Sequence, residues 1–86
     1  MNTPEDPQNK SLDNLFDNIR ERIDAGFPGA LIELDGDASR MQIIVISKEF
    51  ADMSRLQKQQ SVYACINELI TGGSLHAVSI VSKVPE

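Results

Sequence analysis

Apolar side chains recur along this chain in two rhythms, and the rhythms predict its elements. Leu12, Leu15, Phe16, Ile19 and Ile23 follow one another at steps of three and four, which places them on one face of a helix. Ser11 is suited to cap that helix, with Asp13 near its positive end, and Gly26 and Pro28 read as its stop, a left-handed cap followed by a proline. Residues 30–35 read as a short strand, 35–40 as a connecting loop, and 41–48 as a strand rich in β-branched side chains. In the last of these Met41, Ile43 and Val45 alternate with Ile44 and Ile46, so both faces are apolar, as in a central strand. The short loop between the two strands predicts an antiparallel hairpin. Residues 50–54 read as a turn or a single helical turn. Ser54 and Gln57 then have the spacing of a capping box. Leu56, Val62, Tyr63, Ile66, Leu69 and Ile70 are predicted to be the buried face of a second helix, ended by Thr71-Gly72-Gly73. Residues 75–82 alternate as a last strand.

The order is helix, strand, strand, turn or short helix, helix, strand. A strand, a helix and a further strand form a crossover, so the last strand should run parallel to residues 41–48 with a right-handed connection. The prediction is an α+β fold: a two-layer sandwich with a three-stranded mixed sheet and both helices on one face. Residues 1–10 hold two prolines, two acids and no apolar side chain after Met1, and are expected to be a disordered lead-in. That leaves residues 11–86 as the domain.

Composition narrows the function. The chain has 86 residues, room for one small domain, with three Phe, one Tyr and no Trp, so aliphatic side chains must build the core. Cys65 is the only cysteine, which rules out a disulfide within the chain and favours a reducing compartment. The net charge of −5 denies the chain the global positive field that gives non-specific affinity for nucleic acid or anionic membrane. The charge is uneven: residues 1–37 hold nine acidic and three basic side chains, residues 38–86 four and five. No apolar run approaches the roughly 20 residues of a membrane span, and the polar, acidic start does not suit a signal or transit peptide. A cytoplasmic protein is expected.

Candidate chemistry is sparse. His76 is the only histidine, and a lone histidine at a strand start is ordinarily structural. Cys65 reads as a small apolar filler, and no third group would orient it with His76 as a nucleophile and base. Asp35 and Asp37 lie in what reads as a solvated acidic turn. Gly72-Gly73 lacks the strand and helix context of a phosphate loop. No enzyme is expected. A nucleic-acid reading rests on Lys48, Arg55 and Lys58, with Arg40 a further candidate; the start of the second helix could meet phosphate there, or be simply a solvated helix start.

The segment 49–64 carries more information. Phe50 follows the central strand, then come Ser54-Arg55-Leu56, Lys58 and Val62-Tyr63, then Leu75-His76-Ala77-Val78-Ser79-Ile80, and Val84-Pro85-Glu86 at the end. This arrangement resembles the BolA family. Lys58-Gln59-Gln60 and Gly36-Asp37-Ala38-Ser39 are more similar to its acid-stress (IbaG-like) branch. The resemblance implies a fold similar to a type II KH domain and a non-enzymatic protein that pairs with a monothiol glutaredoxin. The pair forms an apo heterodimer, or bridges a [2Fe–2S] cluster completed by glutaredoxin and glutathione, in iron homeostasis or stress response. No cofactor is then expected in the isolated chain. His76 is the ligand the resemblance implies. Its usual second ligand is a His or Cys in the loop 35–40, often after Ser39, where this chain has Arg40, which keeps its proton and cannot ligate iron. Met53, Ser54, Arg55, Lys58 and His76 would frame the partner surface. Transcription regulation through DNA, with Lys48, Arg55 and Lys58 as contacts, is the alternative that the resemblance carries.

Overall fold

A computed structural model describes residues 7–86, with side chains from Asp13 onward. Residues 1–6 of the expected lead-in, and the side chains of Ser11 and Leu12, lie outside the described residues. Helix α1 spans Pro7–Gly26, strand β1 Leu31–Gly36 and strand β2 Met41–Ile46. A 3-10 turn, Lys48–Asp52, leads into helix α2, Arg55–Thr71, and strand β3 is Val78–Lys83. The sheet order is β1-β2-β3, with β1 antiparallel and β3 parallel to β2. The α+β order, the central place of β2 and the parallel last strand are all as the apolar pattern predicts.

Alternation along the strands decides which face meets the helices. Met41, Ile43 and Val45 of β2 are fully buried against Ile19 and Ile23 of α1 and Val62, Ile66 and Leu69 of α2. Ile32, Leu34, Val78 and Ile80 join the same layer from the flanking strands. Phe27 and Phe50, with ring centroids 4.9 Å apart, close one end of the core. Arg20 anchors α1 to the sheet, its Nη1 donating to the Ile32 carbonyl at 2.8 Å.

Four local expectations are corrected. Helix α1 begins at Pro7 rather than after Ser11; proline suits a first helical turn because its missing N–H has no intrahelical partner there. Gly26 is the last helical residue, without a left-handed backbone; the positive φ, 82°, falls at Gly29. Glycine is needed at 26 for close approach instead, since a Cβ there would stand 2.6 Å from the Cys65 Sγ of α2. Leu56 and Tyr63 are not on the buried face: they are 64% and 41% exposed. Each residue turns a helix by about 100°, so a core face centred on Val62, Ile66 and Leu69 carries Tyr63 away from the sheet. Finally, β3 starts at Val78, three residues later than read. Leu75 turns into the core, only 1% exposed, and its N–H closes back onto the Leu69 carbonyl, which leaves His76 and Ala77 on a connection outside the strand.

Candidate functional site

Two backbone features build the site around the β1–β2 turn. Gly36 has φ 109°, a conformation that L side chains rarely adopt, and a Cβ there would meet the Arg40 carbonyl oxygen. Beyond it Asp37 and Arg40 exchange backbone hydrogen bonds of 3.0 and 3.2 Å. Asp37 Oδ1 also accepts from the N–H groups of Ser39, at 2.9 Å, and Arg40, at 3.2 Å, so its carboxylate holds the loop together. Arg40 is exposed at the end of this turn.

His76 meets this loop. Its backbone N–H donates to the Ala38 carbonyl at 2.9 Å, and the next residue but one along the connection begins β3. Met41 N–H donates to the Ala77 carbonyl at 2.8 Å, which extends the sheet pairing up to the histidine. The structure thus brings together the only histidine and the loop 35–40, thirty-odd residues apart in sequence, with His76 exposed. The sequence pattern alone reads Asp37 only as part of a solvated turn; the signal for its role is its place two residues before Ser39, where an aspartate folds a turn on itself.

The other site residues lie elsewhere. In the parallel pairing Met41 is opposite Val78 and Ile46 opposite Lys83, so His76 stands at the Met41 end of the sheet. Lys48, Met53, Ser54, Arg55 and Lys58 follow the Ile46 end. Five residue steps of strand put these ends roughly 17 Å apart, and α2, 17 residues long, spans about 25 Å between them. Ser54 is the N-cap of α2: its side chain accepts from Gln57 N–H, and Gln57 Oε1 accepts from Ser54 N–H, both halves of the predicted capping box. Met53 is half-buried, its Sδ 3.8 Å from the Ser61 hydroxyl that donates to it. Lys48 and Arg55 are exposed and Lys58 is half-buried.

Cys65 is half-buried where the two helices meet. Its Sγ donates to the Ser61 carbonyl at 3.4 Å beside Gly26, and burial pushes the thiol above its ordinary range. A neutral thiol is a poor nucleophile and metal ligand. Among the described residues no three His, Cys, Asp or Glu side chains gather where a metal could sit. On this donor set His76 offers one nitrogen, Asp37 already serves two N–H groups, and Arg40 offers none. The residues present do not fit a cluster that draws two ligands from this chain.

Comparison with known proteins agrees with the fold. A profile of the family described as BolA-like protein matches residues 24–86. The acid stress protein IbaG of Escherichia coli (strain K12) is 41% identical over 54 residues, 63% of this chain and 64% of that protein, so less than two thirds of the relative's length is spanned. The solved structure of BolA1 from Arabidopsis thaliana has a TM-score of 0.66 at 29% identity, covering 80% of this chain and 89% of that one. The BolA domain of SufE1 from Arabidopsis thaliana, at 23% identity, shares the fold with a TM-score of 0.69 over 78% and 87% of the two chains.

Proposed function

The chain belongs to the BolA-like family, and from that premise we propose that it is a non-enzymatic accessory protein that pairs one-to-one with a monothiol glutaredoxin, in iron homeostasis or stress response. One observation supports this reading above the rest: the backbone hydrogen bond from His76 to Ala38 holds the only histidine against the hairpin loop, with the side chain open to solvent. The loop is tied together by the Asp37 carboxylate and turned at Gly36, so a partner meets a shaped surface and loses less freedom in ordering it.

Within that surface His76 supplies the imidazole and Arg40 a permanent positive charge at the position where the resemblance expects a second ligand. A guanidinium binds carboxylates in a planar, two-pronged way. Arg40 is therefore assigned to a carboxylate of the partner or of its glutathione, and the pairing does not depend on a cluster. Were glutaredoxin and glutathione to bring a [2Fe–2S] cluster, His76 would be the one ligand this loop region could offer it, and the cluster would supply electron-storage chemistry. Met53, Ser54, Arg55 and Lys58 fall outside the centre of this contact.

The test is an anaerobic titration of the chain into a cluster-loaded monothiol glutaredoxin, followed by native mass and visible circular dichroism. A one-to-one complex is expected. His76→Ala should weaken it at least tenfold. Arg40→His, which adds a second imidazole to the loop, should sharpen and prolong the cluster spectrum of the complex. If His76→Ala leaves both mass and spectrum untouched, the reading is wrong.

A further inference from the structure

The sheet has a second face, turned away from the helices, and it is more apolar than an uncovered face needs to be. Pairing places Leu31, Ile46 and Lys83 in one row across the three strands, and Glu33, Ile44 and Val81 in the next. These positions alternate with the residues that pack into the core, so their side chains point outward. Leu31 is 65% exposed, and Ile44, Ile46 and Val81 are half-buried, with neither helix on their side. In a two-layer fold the open face of a sheet is ordinarily polar. Four adjacent aliphatic side chains there mark a surface that is covered in use.

The charges around the patch select what covers it. Glu33 lies on β1, one edge of the sheet, and Lys83 on β3, the other edge. Among the described residues neither takes part in a salt bridge. A twofold axis parallel to the strands lays β1 of one copy over β3 of another. Ile44 and Ile46 then meet their own counterparts, and each Lys83 stands one row from the opposing Glu33, about 7 Å along the strand and within reach of the lysine stem. An axis across the strands would instead lay β1 over β1 and β3 over β3, which keeps every Glu33 on the opposite edge from every Lys83. Apolar centre and charged edges are thus complementary to a second copy in one orientation, with the two sheets nearly aligned, about 10 Å apart.

We propose that the outer sheet face, Leu31, Ile44, Ile46 and Val81 flanked by Glu33 and Lys83, is a self-association surface that docks a second copy of this chain. The face measures roughly 15 Å by 20 Å, well short of the ~800 Å² per partner of a standard stable interface. Association is accordingly weak and reversible, and it is independent of the glutaredoxin reading, which uses the His76 end.

Sedimentation equilibrium from micromolar to millimolar concentration tests it, with circular dichroism to confirm that each variant is folded. The chain should pass from monomer to dimer, less so as salt is raised. Glu33→Lys alone and Lys83→Glu alone should each raise the dimer dissociation constant about tenfold or more, since both charge pairs of the dimer become repulsive. Mixing the two single variants restores two opposite-charge pairs and should recover association. Ile44→Lys should abolish it without unfolding the chain. A monomer at every concentration, or dimerisation that ignores the charge changes, or no recovery on mixing, overturns the proposal. So does a monomeric chain whose glutaredoxin complex is lost on Ile44→Lys, because the face would then belong to that partner.

Discussion

Gly36 carries more of the site than its lack of a side chain would indicate. Its φ of 109° and the Arg40 carbonyl standing where a Cβ would be are two separate obstacles to any other residue. Backbone, not a flexible side-chain end, would have to move. Gly36→Ala should therefore destabilise the chain by about 2 kcal/mol, from the strained conformation and the overpacking together. The displaced loop is the one whose Ala38 carbonyl receives His76 N–H, so the same change should weaken partner binding. Denaturant unfolding measures the first effect and titration with glutaredoxin the second. A variant with unchanged stability and binding would show that the loop does not position the histidine. Cys65 gives a contrasting case: burial raises its pKa, so its contribution to stability is whole at neutral pH and is lost only as pH climbs through the thiolate range.

At the level of elements, α2 shows what the sequence reveals and what it hides. Its start was legible because capping is local: Ser54 and Gln57 satisfy each other's backbone N–H groups three residues apart, and spacing alone finds that. Its buried face was only half legible. Val62, Ile66 and Leu69 are in the core, but Leu56 and Tyr63 line an open groove on the far side with Gln59, Gln60, Ala64 and Asn67. Apolar residues at helical spacing describe two stripes on this helix, and which stripe meets the sheet is decided by tertiary packing. The bend that brings Leu75 inward and His76 outward was hidden for the same reason, since alternation through residues 75–82 continues smoothly past the point where strand pairing begins. Substitutions separate the stripes: Leu56→Gln should change stability by less than about 0.5 kcal/mol, while Ile66→Ala should cost about 2–5 kcal/mol. Ser54→Ala should cost about 1 kcal/mol. Chemical denaturation of the three variants checks all of these, and a large loss on Leu56→Gln would mean that the exposed stripe is covered.

Over the whole molecule, the arrangement of the strands separates two readings that the sequence leaves intermingled. His76 and the loop with Arg40 occupy the Met41 end of the sheet; Lys48, Arg55 and Lys58 gather at the Ile46 end. The roughly 17 Å between the ends exceeds the ~10 Å screening length at 0.1 M salt. Charges at one end are thus nearly unfelt at the other. The net charge of −5 supplies no general attraction to phosphate, so DNA affinity at the basic end would have to come from those three side chains alone. Two assays on one set of variants follow from this separation. Glutaredoxin binding should fall on His76→Ala and hold on Arg55→Ala or Lys58→Ala. Binding to duplex DNA, where measurable, should fall steeply with salt and on Arg55→Ala or Lys58→Ala, and ignore His76→Ala. In the double variant His76→Ala, Arg55→Ala the effects on each partner should add to within about 0.5 kcal/mol, as they do for sites without shared contacts. A larger coupling, measured by calorimetry on the single and double variants, would mean that one partner covers both ends, and the contact centred on His76 would then have to extend along the full length of α2.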